Sequence, residues 1–149
     1  MNILYISISG NTRGFAKKIA DYAQAQHESN PDFPCITLKE IHENSDFEKE
    51  TQPFFTFVPT YLEGGNGVDN GDKEILTETM REYLEYENNY AQCLGVIGSG
   101  NKNFNHQYCL TAKQYAQQFG FPFLEDYELR GNPSDVERIY QKLVETYQK

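Results

Sequence analysis

Tryptophan is absent, and cysteine is scarce: Cys35, Cys93 and Cys109 are scattered, odd in number, and form no C-x-x-C pair. A disulfide framework or a thiolate metal site is therefore not expected, and the three read as buried thiols in a reducing compartment. The three histidines, His27, His42 and His106, form no local ligand set with carboxylates, so no metal site is expected either. Basic residues are few, 13 against 22 acidic ones, for a net charge of -9. That balance disfavours nucleic acid and anionic membranes and suits docking onto a basic partner patch. No apolar run approaches a membrane-spanning length, and Met1-Asn2-Ile3-Leu4-Tyr5 lacks a basic leader segment and enters a strand directly. The expectation is a cytoplasmic protein that is not attached to a membrane.

What is present suits a globular fold. A chain of 149 residues, 38% hydrophobic and with 11 Tyr and 10 Phe, is expected to form a single domain over 1–149 with a core that needs no staples. Strands are expected at Asn2–Ile8, Pro34–Leu38, Pro53–Pro59, Gln92–Ile97 and in the later part of Phe121–Leu129. Helical spacing is expected at Thr12–Gln26, Lys73–Tyr86 (Ile75, Leu76, Thr79, Met80, Tyr83 and Leu84 on one stripe), His106–Phe119 and Asp135–Tyr147. Lys39–Gln52 is polar and irregular, leaving one gap in an otherwise regular alternation. Alternating strands and helices imply an α/β three-layer sandwich, a five-stranded parallel sheet in the order 2-1-3-4-5 with helices on both faces. Ligands of such sheets sit beyond the carboxyl ends of the strands, where the loops after strands one, three and four converge.

The first of these loops, Ser7-Ile8-Ser9-Gly10-Asn11-Thr12-Arg13, carries three hydroxyls, an amide and a glycine, and opens a helix. A single N-cap needs one hydroxyl. The surplus suits an anion held by hydroxyls and free backbone N–H groups, with Gly10 allowing close approach to a phosphate. No Walker loop, no complete G-x-G-x-x-G, no cysteine nucleophile in the first loop and no acceptor aspartate after strand three is present. The second loop, beginning Thr60-Tyr61-Leu62-Glu63-Gly64-Gly65, offers an aromatic ring and glycines that admit a ring edge. The third, Gly98–Tyr108, offers Ser99, Gly100 and Asn103 together with Phe104 and Tyr108 as ring walls, although either aromatic would also serve to staple the next helix. The third loop contains no acid, only Lys102 and His106, and so would not repel a ring that becomes anionic on reduction, with Glu63 of the second loop as the counterweight.

In combination, the Ser-x-Ser-Gly-Asn-Thr loop, Pro59-Thr60-Tyr61 before a glycine-rich loop, Gly98-Ser99-Gly100-Asn101-Lys102-Asn103-Phe104, and Tyr127-Glu128-Leu129-Arg130-Gly131 followed by Ser134-Asp135-Val136 resemble the NrdI family. These are flavodoxin-like activators of class Ib ribonucleotide reductase. The resemblance implies FMN as cofactor and dioxygen as oxidant. It implies as partner the reductase small subunit (NrdF), whose dimanganese centre receives superoxide or a related species, together with an unidentified flavin reductant. Under it, Ser7, Ser9, Gly10, Asn11 and Thr12 hold the phosphate. Thr60, Tyr61, Gly64, Gly65, Ser99, Gly100, Asn103, Phe104 and Tyr108 surround the ring, and the flavin itself carries the chemistry. A general one-electron flavodoxin and a flavin-free binding module of the same fold are the competing readings.

Overall fold

The computed structural model describes residues 1–61, 74–103 and 108–149. Ile3, Leu4, Tyr5 and Ile6 are all buried, as a strand covered on both faces requires, and they lie within or directly after the first strand, β1 (Asn2–Tyr5). It is followed by α1 (Asn11–Ser29), β2 (Thr37–Glu40), β3 (Phe54–Pro59), α2 (Glu78–Glu85), β4 (Cys93–Gly100), α3 (Leu110–Phe119), β5 (Phe123–Glu128) and α4 (Pro133–Tyr147). All four strand pairs are parallel, in the order β2-β1-β3-β4-β5. Both the order and the layering expected from the sequence are therefore observed.

Side chains alternate along the strands between two cores. Ile3, Tyr5, Phe55 and Phe57 join Phe15, Ile19, Ala23, Val136, Ile139 and Leu143 beneath α1 and α4. Leu4, Ile6, Phe54 and Val58 join Met80, Tyr83, Leu84, Ala112 and Tyr115 beneath α2 and α3. The last helix begins with a reciprocal capping box: the Asp135 N–H donates to Asn132, and the Asn132 N–H donates to the Asp135 carboxylate.

Several boundaries differ from expectation: β1 ends at Tyr5, before Ile8, β4 continues to Gly100, past Ile97, and α1 continues to Ser29, past Gln26. The second strand lies further along, at Thr37–Glu40 in place of Pro34–Leu38, where Thr37 to Glu40 pair with Asn2 to Tyr5. The second helix starts at Glu78, because Leu76 takes a φ of 70° that no α-helix accepts and is 52% exposed. Glu74 just before it is held outside any helix, accepting from the Thr77 hydroxyl, the Arg81 Nε (2.8 Å) and the Tyr115 hydroxyl (2.5 Å). The third helix starts at Leu110, since Cys109 before it is left-handed at φ 57°. The expected gap is real: residues 41–53 connect β2 to β3 with no helix among them.

Candidate functional site

At the carboxyl end of β1, Gly10 has φ 94°, a conformation suited to glycine, and sets the entry to α1. Three side chains of this loop each accept a hydrogen bond from a neighbour. The Arg13 N–H donates to Ser7 Oγ (3.1 Å) and the Tyr61 hydroxyl to Ser9 Oγ (2.8 Å). Arg130 Nε donates to Asn11 Oδ1 (3.1 Å). A guanidinium and a peptide N–H can only donate, and a phenol donates more readily than an aliphatic hydroxyl. With one bond accepted at each oxygen, the loop still offers the Ser7 and Ser9 hydroxyl protons, the Asn11 NH2, and the Asn11 and Thr12 N–H groups, which have no preceding turn to receive them. Thr12 is buried at the same helix end. This donor set suits an oxyanion such as a phosphate ester.

Arg13, the nearest cation in sequence, is not part of that set. Its Nε and Nη2 grip Glu40 at 2.8 and 2.7 Å, and this guanidinium holds the Glu40 carboxyl below its ordinary range.

The second loop reaches the first through Tyr61, and the Ile75 N–H donates to the Tyr61 carbonyl (2.9 Å), bringing the two ends of the connection together. Thr60 Oγ1 accepts the Thr111 N–H at 3.2 Å, so this hydroxyl serves the start of α3. Gly64 and Gly65 lie outside the described residues, as does Phe104.

In the third loop, Ser99 is buried and Gly100 closes β4, while Asn103 is exposed, its N–H donating to Asn101 Oδ1. Tyr108 turns toward β5: its hydroxyl donates to Asp126 (3.0 Å), and the Lys102 ammonium lies 5.7 Å from its ring centre. Burial first, then the neighbouring Cys109 and Asp126, push its phenol upward and keep it neutral. A side chain at Gly100 would contact this ring at 3.5 Å, so Tyr108 backs the glycine.

The segment after β5 contributes more than its sequence advertises. The Leu129 N–H donates to the Gly100 carbonyl, and Glu128 Oε2 accepts the Lys102 N–H, both at 2.9 Å. With Arg130 on Asn11, Glu128-Leu129-Arg130 thus joins the third loop to the first. The loop free of acid in sequence is not free of acid in space, because Glu128 borders it. Gly131 (φ 69°) completes the turn where a Cβ would sit 2.6 Å from the Phe15 ring. Phe15 stacks on Tyr127 at 3.8 Å between centroids, and the buried Tyr127 hydroxyl faces Thr12 and Ser99. Spacing alone gives neither Glu128 nor Arg130 a role; the signal in the sequence is their position at the carboxyl end of the last strand.

Among the described residues there is no group of His, Cys, Asp and Glu suited to a metal ion, and no helix long and apolar enough to cross a membrane.

Comparison with known proteins bears on the same residues. A short-chain flavodoxin associated with a bacterial microcompartment superposes with a TM-score of 0.62 at 18% identity, over 97% of this chain and 93% of its own, which supports the flavodoxin-like fold. An NrdI-like protein of Streptococcus pneumoniae is 46% identical over 99% of this chain and 95% of its own length. A second NrdI-like protein, from Streptococcus pyogenes serotype M1, is 49% identical over 97% and 88%. Protein NrdI of Mesoplasma florum is 30% identical over 99% and 85%. The family model described as NrdI flavodoxin-like matches residues 3–141, which include all three loops and the Glu128–Gly131 turn, and on this agreement of site, fold and sequence the chain belongs to the NrdI flavodoxin-like family.

Proposed function

We propose that the protein binds FMN in this site and works in the cytoplasm as the activator of a class Ib ribonucleotide reductase. The observation that carries the reading is the donor supply of the first loop, where Ser7, Ser9 and Asn11 each accept one hydrogen bond from a neighbour and keep their hydroxyl protons and NH2 group to donate. A phosphate ester at neutral pH is an acceptor carrying close to two negative charges, and it complements such a set. Ser7, Ser9, Gly10, Asn11 and Thr12 hold the phosphate. Thr60, Tyr61, Gly64, Gly65, Ser99, Gly100, Asn103, Phe104 and Tyr108 surround the ring. When bound and reduced, the flavin supplies electrons to dioxygen, and the superoxide or related oxidant so formed serves the dimanganese centre of NrdF, the partner that assembles the tyrosyl radical. A separate reductant must feed the flavin.

Two measurements test this. Replacing Asn11 and Thr12 by Ala weakens FMN binding by ~1–3 kcal/mol for each charge-assisted bond lost. Unchanged affinity would mean that the phosphate lies elsewhere. Mixing the reduced flavoprotein, dioxygen and the manganese-loaded small subunit is expected to generate the tyrosyl radical. No radical, with normal electron delivery to other acceptors, would favour a one-electron carrier; a colourless chain that takes up no added FMN would leave only a flavin-free binding module.

A further inference from the structure

We propose that Arg130, at the turn after β5, is the positioning residue and the cationic component of the phosphate loop, and that it makes the site select a flavin with a terminal phosphate over riboflavin. The inference rests on the FMN reading above and extends it to a residue remote in sequence.

Charge accounting singles out Arg130. The chain has four arginines. Arg13 is committed to Glu40, Arg81 to Glu74 and Glu85, and Arg138 to Glu125 and Asp135. Arg130 forms no ion pair among the described residues; its hydrogen bond goes to the neutral Asn11 carboxamide at 3.1 Å. In a protein of net charge -9, a guanidinium that has no carboxylate partner among the described residues and lies beside a set of donors favours an anion there.

Geometry gives the second half. Asn11 can present its oxygen or its NH2 to a ligand. Arg130 has only donors, so its Nε holds the oxygen and leaves the NH2 to face elsewhere in the loop. Arg130 is itself located by its neighbours: Leu129 is tied to the Gly100 carbonyl, and Gly131 is pressed against Phe15. The turn therefore delivers its cation to a fixed place on the first loop.

The test uses the full-length apoprotein and follows quenching of flavin fluorescence, with FMN and riboflavin titrated separately at low and high salt. Arg130→Met keeps the aliphatic stem and removes the charge and the donors. It is expected to weaken FMN binding by roughly tenfold or more, to leave riboflavin binding unchanged, and to flatten the salt dependence of FMN affinity. Arg130→Lys is expected to restore the salt dependence and part of the preference for FMN. Adding Asn11→Ala to Arg130→Met is expected to cost less than Asn11→Ala does alone, since the two residues act together. Equal losses for FMN and riboflavin would overturn the proposal and make Arg130 a structural part of its turn; unchanged FMN affinity in Arg130→Met would overturn it as well. A wild-type apoprotein that binds no FMN would overturn the FMN reading and this role with it, whereas normal wild-type binding beside an unaffected variant overturns only the role of Arg130.

Discussion

On one face of the sheet, α1 and α4 close over Phe15, Ile19, Phe55, Phe57, Val136, Ile139 and Leu143, and the contact is almost wholly apolar. On the other face, α2 and α3 cover β3 and β4, but no helix follows β2, and residues 41–53 take the place of one. That irregular segment is held by a few residues. Ile41 is fully buried, and Phe47 packs edge-on against Tyr83 and Tyr86 at 5.3 and 5.7 Å. The buried Asn89 carboxamide accepts the Glu50 N–H (2.7 Å) and donates to the Glu48 and Tyr83 carbonyls (3.0 and 2.9 Å). Lys39 binds Glu48, Glu50 and the Tyr83 hydroxyl. A cavity of about 300 Å³ remains beside them, lined by Asn2, Thr37, Lys39 and Glu50 among others. A helix satisfies its own backbone, so its face can be greasy; a segment without that repeat must have its N–H and C=O groups met from outside. Polar side chains in the second core answer that need.

The sharpest way to break this contrast is to remove one residue from each region. Ile19→Ala, fully buried beneath α1, is expected to lower stability by ~3–4 kcal/mol in urea unfolding, through lost burial and a residual cavity. Asn89→Ala is expected to cost less, ~2–3 kcal/mol, because it leaves backbone groups of Glu48, Glu50 and Tyr83 without their partner. The distribution matters more than the totals. Amide hydrogen exchange should rise at 41–53 in Asn89→Ala with α1 and α4 left protected. Uniform loss of protection over both faces would show that the two are one cooperative unit.

Alkaline pH should sharpen the same contrast more gently. Burial raises the Cys93 thiol from its ordinary 9.0 to about 12, and burial together with Glu50 raises the Tyr83 phenol from 10.0 to about 12. Both belong to the α2/α3 core. Raised values mean that the folded chain holds these protons more tightly than the unfolded chain. The associated stability is complete below about pH 9 and is lost as pH climbs through 12. The midpoint of thermal unfolding is expected to fall between pH 9 and 11, and Cys93→Ala to flatten that fall; an identical slope in the variant would exclude this thiol as a source. The smallest effect is in reactivity. Cys93 and Cys109 are buried, as expected, with raised thiols, but Cys35 departs from that expectation and is only half-buried. One thiol should react with an aromatic disulfide reagent in the native protein, and the other two only after denaturation.

Strand order and both layers were legible in the sequence because continuous apolar runs such as Asn2–Tyr5 and Phe54–Pro59 mark strands buried on both faces, and their alternation with helices implies parallel crossovers. The first loop stands out as a candidate because its hydroxyls exceed what a helix cap uses. Elements fixed by single long-range contacts were not legible. Leu76 fits a helical stripe, yet Glu74 is anchored by Tyr115, 41 residues away, and the helix cannot begin before that anchor. Asn89 reads as one polar residue in a turn until Glu48 and Glu50 arrive at it. Arg130 and Asn11 are 119 residues apart, and no local pattern marks their meeting. Glu128 shows the same limit from the side of charge: the composition of the third loop says nothing of the acid that β5 brings to it.

The hydrogen bond from the Ile75 N–H to the Tyr61 carbonyl has a consequence for how this kind of chain diversifies. It fixes the two ends of the intervening connection beside β3, whatever lies between them. Once the ends are pinned, lengthening the connection adds only a logarithmic closure entropy, about 0.6 kcal/mol for each doubling. Length and charge in this connection can therefore change at little entropic cost to the closure of its ends.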